Sequence, residues 1–206
     1  MNKEIYNNNN KEGAYEAVVI GVSAGGMRAL EKIIPSLPGN FKVPIVIIQH
    51  RHSHSDNYEI RFLDKISALT VKEAEEKESI TRGVVYFAPS DHHLLIEEDK
   101  TFSLCSGELV WYARPSIDVT FEIASEIYGM KLIGIILTGA NSDGSNGMKC
   151  IKNKGGLTII QDPATAEFPN MPQAALDATD IDYIVDLDNL ITLLIRLIMS
   201  PIHGGE

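Results

Sequence analysis

Apolar runs rich in β-branched residues alternate along the chain with segments in which apolar residues recur at helical spacing. The runs have strand length and predict buried strands, whereas the intervening segments predict amphipathic helices. The predicted strands cover residues 15–22, 43–49, 70–74, 84–88, 131–138, 157–161 and 183–185, and the predicted helices cover residues 25–37, 57–69, 115–128, 172–178 and 187–199, with a further helix ending at residue 154.

The middle of the chain has a different pattern. Residues 92–97, 101–105 and 108–112 predict three short antiparallel strands separated by polar turns. The alternation of strand and helix elsewhere predicts right-handed crossovers and a parallel sheet covered on both faces. The predicted fold class is therefore α/β, a three-layer α/β/α, doubly wound, mostly parallel sheet with an antiparallel hairpin extension.

The length of 206 residues is that of one domain able to bury its own core. We expect this domain to occupy residues 14–200, because no internal repeat or interdomain linker interrupts the pattern. Residues 1–13 are polar and Asn-rich and predict a disordered tail, and residues 201–206 form a short C-terminal tail.

Charge and composition narrow the class of protein. The net charge of −10 and the absence of a basic stripe argue against a nucleic-acid partner. No apolar run approaches the ~18 residues of a membrane span, and the N-terminus lacks the apolar core of a signal peptide. Cys105 and Cys150 have neither metal-ligand spacing nor a C-x-x-C motif. These features predict a cytoplasmic protein with reduced thiols and no membrane insertion.

A Gly-x-Ser-x-Gly motif stands where the first predicted strand meets the first predicted helix, with Ser23 at its centre. A serine in such a turn exposes its hydroxyl, and the free N–H groups that open the helix can hold a developing oxyanion. The alternative is a structural or phosphate-binding turn. The dinucleotide motif Gly-x-Gly-x-x-Gly does not fit, because Ser23 occupies its second glycine position, and the phosphate-loop motif is absent.

Three predicted strands end in a chemically useful side chain. The strands lead to Ser23, to His50 and to the polar glycine loop that contains Asp143. Because the carboxyl ends of parallel strands meet at one edge of a sheet, we expect these three groups to lie together. They are the parts of a Ser-His-Asp hydrolase, although their order along the chain differs from that of the α/β-hydrolase, chymotrypsin and subtilisin types.

Each member of this set has a simpler interpretation. His50 begins the segment His50-Arg-His-Ser-His54, which could bind a metal, yet no carboxylate or cysteine completes a ligand set, so no metal and no cofactor is predicted. Asp143 could cap the helix that follows it, or Ser145 could do so. The segment Asp91-His-His93 also follows a strand and competes with His50 as the base.

Two further polar residues stand at the start of the predicted helix 115–128. Arg114 could be a surface charge or a substrate clamp, and we predict a substrate-binding role for it. Asp118 is expected in the first turn of the helix, where the helix dipole favours a negative charge.

The chain resembles the catalytic domain of the chemotaxis receptor methylesterases, the CheB family, from about Ala17 to Leu194, and nine short motifs carry the resemblance. They are Ile20-Gly-Val-Ser-Ala-Gly-Gly26, Ile48-Gln-His50, Val71-Lys-Glu-Ala74, Tyr86-Phe-Ala-Pro89, Arg114-Pro-Ser-Ile-Asp118, Ile136-Leu-Thr-Gly139, Ser142-Asp-Gly144, Gly147-Met148 and Met171-Pro172.

The resemblance implies a function for the chain. It implies hydrolysis of γ-glutamyl methyl esters on the cytoplasmic helices of methylated chemoreceptors, with deamidation of receptor glutamines in some members. The family's serine, histidine and aspartate fall on Ser23, His50 and Asp143. By position, the backbone N–H groups of Ala24 and Ala140 are the best candidates for oxyanion donors. A catalytically silent binding module in a signalling complex is the alternative function.

The chain departs from the family pattern in three places. The usual N-terminal receiver domain does not precede the first strand, so we expect a stand-alone enzyme, a paralogue or a fragment, with a separate receiver or signalling protein as a candidate partner. Ala24 and Ala140 stand where many members have Thr and Met, and residues 51–54 replace a Met-Pro-Pro-like turn. Because the chain and the receptor helices are both acidic, recognition needs local contacts, for which the candidates are Arg51, Trp111 and Arg114.

Overall fold

The computed structural model describes residues 15–50, 57–110 and 112–200. Several predictions concern residues outside these ranges: the two tails, 1–13 and 201–206, and the side chains of Arg51, His52, His54 and Trp111.

Seven strands form a parallel sheet, and they are β1 Ala17–Val22, β2 Ile45–Gln49, β3 Thr70–Glu73, β4 Val84–Phe87, β7 Leu132–Ile136, β8 Leu157–Gln161 and β9 Tyr183–Val185. Their spatial order is β3-β4-β2-β1-β7-β8-β9. Six α-helices lie in the described part of the chain: α1 Gly26–Ile33, α2 Tyr58–Ile66, α3 Ile117–Tyr128, α4 Ser145–Asn153, α5 Asn170–Ala178 and α6 Leu187–Met199.

The two faces of the sheet bury two separate apolar clusters. In β1 all six residues are buried, and successive side chains point to opposite faces because the side-chain period of a strand is two. Val18, Ile20 and Val22 pack with residues of α1, α2 and α6. Ala17 and Val19 pack with residues of α3, α4 and α5. The predicted three-layer α/β fold is confirmed.

The hairpin region differs in detail from the prediction. Strands β5 (His93–Ile96) and β6 (Phe102–Cys105) pair only with each other and form a small antiparallel sheet of their own. The prediction of a third strand at 108–112 is wrong for its described residues, 108–110 and 112, where Val110 makes an isolated bridge to Ala113 instead of a ladder. Apolar residues of the hairpin pack on α3, in the cluster that also contains Ala17 and Val19.

Strands β2, β1 and β7 occupy the centre of the sheet. From β1 the chain moves outward through β2 on one side, and it returns to place β7 on the other side. Open α/β sheets bind their ligands at such a reversal of strand order, outside the carboxyl ends of the central strands.

Candidate active site

The Ser23 turn is built by a short contiguous segment. Strand β1 ends at Val22 and α1 begins at Gly26, so only three residues separate strand from helix. Gly25 adopts a left-handed conformation with φ 74°, which a glycine accepts without steric cost. A Cβ atom on Gly26 would collide with the side chain of Val22. The two glycines therefore allow the sharp turn that leaves Ser23 half-buried at the edge of the sheet.

His50 directly follows β2 and is placed by the pairing of β2 with β1. Gln49 pairs with Val22, and the His50 N–H donates to the Val22 carbonyl at 3.2 Å. This register sets the imidazole beside Ser23, with 3.2 Å between His50 Nδ1 and Ser23 Oγ. The other ring nitrogen, Nε2, lies 2.8 Å from Asp143 Oδ2.

The carboxylate partner decides which ring nitrogen of His50 carries the proton. A carboxylate oxygen only accepts hydrogen bonds, so Nε2 carries the hydrogen and donates to Asp143. The lone pair of Nδ1 then faces the Ser23 hydroxyl. An imidazole held in this tautomer can accept the serine proton.

Asp143 is fully buried, and its side chain lies at the N-terminus of α3. Its oxygens accept hydrogen bonds from Ile117 N at 2.7 Å, Asp118 N at 3.0 Å and Ser116 Oγ at 3.0 Å. The expectation that Asp143 or Ser145 caps the following helix is wrong, because α4 has Gly144 at its N-cap and no side-chain cap. Asp143 instead caps α3, whose free N–H groups and dipole hold the carboxylate in place.

The helices α3 and α4 cap each other. Asp118 lies in the first turn of α3, as predicted, and its Oδ1 accepts from Gly147 N of α4 at 2.7 Å. A Cβ atom on Gly147 would collide with Phe121, so the glycine lets the two helices approach closely. Asp143 precedes α4 and caps α3, while Asp118 belongs to α3 and caps α4. Each carboxylate therefore fixes the position of the other helix.

His93 holds the residue that precedes α3, Ser116, whose hydroxyl donates to Asp143. The His93 side chain is buried; its Nε2 donates to the Glu108 carbonyl at 2.8 Å, and its Nδ1 accepts from Ser116 N at 3.2 Å. Both nitrogens are thus engaged away from Ser23, and His92 Nδ1 lies 3.1 Å from the Ser90 carbonyl. The contacts favour His50 over the segment 91–93 as the base, because His50 is the imidazole in contact with Ser23.

Thr138 joins the Ser23 turn to the loop after β7. Its carbonyl accepts from Ser23 N at 3.0 Å, and its hydroxyl donates to the Ala24 carbonyl at 3.0 Å. No hydrogen bond links the backbone N–H of Ala24 or of Ala140 to any other described residue. These two donors stand in the two loops that Thr138 connects, and their role as oxyanion donors stays a prediction.

Arg114 holds a neighbouring loop. Its Nη1 donates to the carbonyls of Ser106 at 2.9 Å and Gly107 at 2.6 Å. Its buried Nε has no partner among the described residues. The substrate-binding role of Arg114 stays a prediction.

Asn141 is the polar residue of the site that sequence reasoning missed. Its Nδ2 lies 3.3 Å from His50 Nδ1, and its Oδ1 accepts from Asp143 N at 3.2 Å. The available indication was its position, two residues before Asp143 in the glycine loop. Composition cannot distinguish such a residue from an ordinary loop asparagine, because its neighbour His50 is distant in sequence.

The metal alternative draws no support from the described residues. Both ring nitrogens of His50 already face protein groups, and no cluster of three His, Cys, Asp or Glu side chains suited to a metal occurs in the ranges 15–50, 57–110 and 112–200. Within the same ranges, no helix is long and apolar enough to cross a bilayer.

At the carboxyl edge of the parallel sheet, a hydroxyl contacts an imidazole, and the imidazole contacts a buried carboxylate. This is the arrangement of a serine hydrolase on an α/β fold. The chain belongs to the CheB methylesterase family, whose profile matches residues 18–194.

Relatives and a solved structure agree with this assignment. A Leptospira interrogans protein, provisionally named protein-glutamate methylesterase/protein-glutamine glutaminase, is 57% identical over 183 residues, which cover 89% of this chain and 95% of that protein. A Clostridium acetobutylicum protein of the same name is 36% identical over 89% of this chain and 53% of its own length. The chain thus spans about half of this longer relative. The crystal structure of the Thermotoga maritima CheB methylesterase catalytic domain superposes with a TM-score of 0.85 at 39% identity, over 89% of this chain and 98% of that one.

Proposed function

We propose that this chain is a protein-glutamate methylesterase that hydrolyses γ-glutamyl methyl esters on chemoreceptor helices and releases methanol. The observation that carries the proposal is the continuous set of contacts from Ser23 through His50 to Asp143. Ser23 is the nucleophile, His50 is the base, and Asp143 orients His50 and stabilises its protonated form. Membership of the CheB methylesterase family supports the choice of a methyl ester as substrate.

In the acylation step, Ser23 Oγ attacks the carbonyl carbon of the ester while His50 Nδ1 takes the serine proton. The carbonyl oxygen becomes an oxyanion, and the free N–H groups of Ala24 and Ala140 donate to it. The bond between the carbonyl carbon and the methoxy oxygen then breaks. The proton on His50 passes to the methoxy oxygen, and methanol leaves behind an acyl-enzyme.

In the deacylation step, a water molecule replaces methanol beside His50. His50 takes a proton from the water, and the resulting hydroxide attacks the acyl carbon. Collapse of the second tetrahedral intermediate returns the proton to Ser23 Oγ. The product is a glutamate side chain, and the enzyme is restored to its starting state.

A glutamine side chain can undergo the same steps with ammonia as the leaving group. The relatives from Leptospira and Clostridium carry both activities in their names, and this supports a second, glutaminase activity here. The cytoplasmic part of a methylated chemoreceptor is the proposed macromolecular substrate, which fits a cytoplasmic location. A separate receiver or signalling protein is a further proposed partner, and Arg114 is a proposed substrate contact.

The test is methanol release from a carboxymethylated chemoreceptor fragment. The Ser23→Ala variant should lose at least about 10⁴-fold in kcat, because the nucleophile of a triad cannot be replaced by its remaining members. The matched control is Ser36→Ala, which should keep full activity, because Ser36 is exposed and its hydroxyl bonds only the Lys32 carbonyl among the described residues. Labelling of wild type, but not of Ser23→Ala, by a fluorophosphonate probe checks the same residue without a receptor substrate. Full activity of Ser23→Ala would overturn the proposal.

A further inference from the structure

The lone pair of His50 Nδ1 faces two donors at once. Ser23 Oγ lies 3.2 Å away and Asn141 Nδ2 lies 3.3 Å away. An imidazole nitrogen offers a single in-plane lone pair, so the serine hydroxyl and the asparagine amide share one acceptor. Both contacts are longer than the 2.8 Å bond on the other side of the ring, as expected for a shared acceptor.

The orientation of the Asn141 amide is set by its own second contact. Its carbonyl oxygen accepts from the backbone N–H of Asp143 at 3.2 Å. A flipped amide would place its NH₂ group against that N–H and lose the bond. The NH₂ group is therefore the part of Asn141 that faces His50.

This sharing ends when the reaction begins. Once Nδ1 has taken the proton from Ser23, it is a donor and can no longer accept from Asn141. The same Nδ1–H must next reach the leaving group, which brings the leaving atom within hydrogen-bond distance of Nδ1. Asn141 Nδ2 is already in that region, so the leaving atom becomes the available acceptor for its N–H.

Ester and amide leaving groups differ at this position. A methoxy oxygen has two lone pairs, and it can accept from the protonated His50 and from Asn141 together. The nitrogen of an amide tetrahedral intermediate has one lone pair, which His50 uses, and its two N–H groups face the donor of Asn141. The N–H groups of the leaving nitrogen then face the NH₂ group of Asn141, and two donors cannot form a hydrogen bond. Enzymes use mismatches of this kind to discriminate against a similar substrate.

We infer that Asn141 is a specificity-determining residue that favours ester over amide hydrolysis, by donating a hydrogen bond to the leaving oxygen. The inference rests on the proposed Ser23 mechanism and names the group that sets the balance between its two activities.

The experiment compares kcat/KM for methanol release from a methylated receptor fragment with kcat/KM for ammonia release from the same fragment carrying glutamine. kcat/KM reports the steps up to acylation, which is where the two leaving groups differ. The ratio of the two values should fall about tenfold in Asn141→Ala, the effect of losing one hydrogen bond to a group that develops charge. A disturbance of the loop alone would lower both values and leave their ratio unchanged.

A second variant separates specificity from loop structure. Asn141→Asp keeps an oxygen for Asp143 N and replaces the donor by an acceptor, which suits an amide N–H. Its added charge affects both reactions, but the ratio cancels this common effect, so the ratio should fall at least as far as in Asn141→Ala. Asn146→Ala is the matched control, because Asn146 is exposed on α4 and its side chain bonds none of the described residues.

The outcomes distinguish this inference from the proposed function. A wild type that releases no methanol overturns both. An active wild type whose ester-to-amide ratio stays within twofold in both Asn141 variants overturns the inference alone. If wild-type ammonia release is below detection, the ester reaction alone is compared in the two variants. Asn141→Asp, which keeps the oxygen for Asp143 N, should lose about tenfold in kcat/KM for the ester as Asn141→Ala does, and an unchanged value in Asn141→Asp overturns the inference.

Discussion

The Ser23 end and the Asp143 end of the site are built in different ways. The Ser23 turn uses one contiguous segment, in which a buried strand, two glycines and a helix follow each other directly. The Ser23 hydroxyl itself makes one hydrogen bond among the described residues, to His50. Removing that hydroxyl leaves no buried donor of the protein without its acceptor.

The Asp143 end draws on several separate segments. The carboxylate accepts from the start of α3, and Asp118 of α3 caps α4 in return. His93 of the hairpin holds Ser116, whose hydroxyl donates to Asp143. Asp143 is thus a structural cap as well as a member of the proposed triad, so we expect the two ends to respond differently to mutation.

The largest difference should appear between Ser23→Ala and Asp143→Ala. Both variants should be inactive, but Asp143→Ala leaves four donors without this acceptor, three at the start of α3 and His50 Nε2, and should lower the free energy of unfolding by about 3 kcal/mol. Ser23→Ala should stay within about 0.5 kcal/mol of wild type. Urea unfolding of the two variants, followed by circular dichroism, measures this difference.

Asp143→Asn sharpens the same comparison. It keeps one oxygen for the N–H groups of α3, so it should be more stable than Asp143→Ala. It should still lose about 10⁴-fold in kcat, because an amide does not hold the imidazole in the required tautomer. Equal stability of Asp143→Ala and Ser23→Ala would contradict the structural role of the carboxylate.

A smaller effect is expected one step further from the triad, at His93. His93→Ala leaves Ser116 N and the Glu108 carbonyl unpaired, and should cost about 2 kcal/mol of stability. It should also lower kcat about tenfold with little change in KM, since Asp143 loses its support while the substrate surface is intact. Steady-state kinetics on the methyl ester provide both constants.

His93→Asn is the conservative variant for this position. Its side-chain oxygen can take the place of Nδ1 as acceptor for Ser116 N, so kcat should recover in part. If the imidazole only fills space, kcat should not recover in His93→Asn. That result would show that the hydrogen bond from Ser116 N to His93 does not position Asp143.

In the Ser23 turn, Gly25→Ala should have a local and moderate effect. The left-handed conformation at φ 74° disfavours alanine, and the new Cβ would lie 3.1 Å from the Glu167 Cβ atom. We expect a loss of about 1 kcal/mol in unfolding free energy. Gly107→Ala, at an exposed glycine without a positive φ, should be nearly neutral. Thermal unfolding of the pair tests whether the turn needs its glycine.

The smallest effect is expected for Glu122, which lies near the carboxylates of Asp118 and Asp143. Partial burial, followed by the charges of Asp118 and Asp143, raises the pKa of the Glu122 carboxyl. A raised pKa in the folded state means that the ionised group opposes folding, so its cost is absent at low pH and appears as pH rises through the folded pKa.

Glu122→Gln should therefore be slightly more stable than wild type at pH 7. Solvent screens this exposed side chain, so the gain should be a few tenths of a kcal/mol at most. The gain should be smaller at pH 3 than at pH 7, because the wild-type carboxyl loses its charge as pH falls. Unfolding curves at the two pH values check the sign, and a variant that is less stable at pH 7 would contradict it.

The sequence by itself determined the parts of the molecule that depend on local pattern. Strand and helix periods predicted the sheet and its helices, and β8, β9 and α6 were predicted with their observed bounds. The Gly-x-Ser-x-Gly turn identified Ser23 because strand, turn and helix are contiguous there. The rule that parallel strands end at one edge brought His50 and Asp143 to the same place.

The contacts that hold Asp143, and the contact of Asn141 with His50, depend on the packing of segments that are distant in sequence. The cap of α3 by Asp143, the cap of α4 by Asp118 and the contact of Asn141 with His50 each join residues at least 25 positions apart. The local sequence pattern does not predict such pairs, because an aspartate before a helix is commonly the N-cap of that same helix. Because α3 packs closely against α4, the start of α3 supplies three hydrogen-bond donors to Asp143, and these bonds fix the position of the carboxylate.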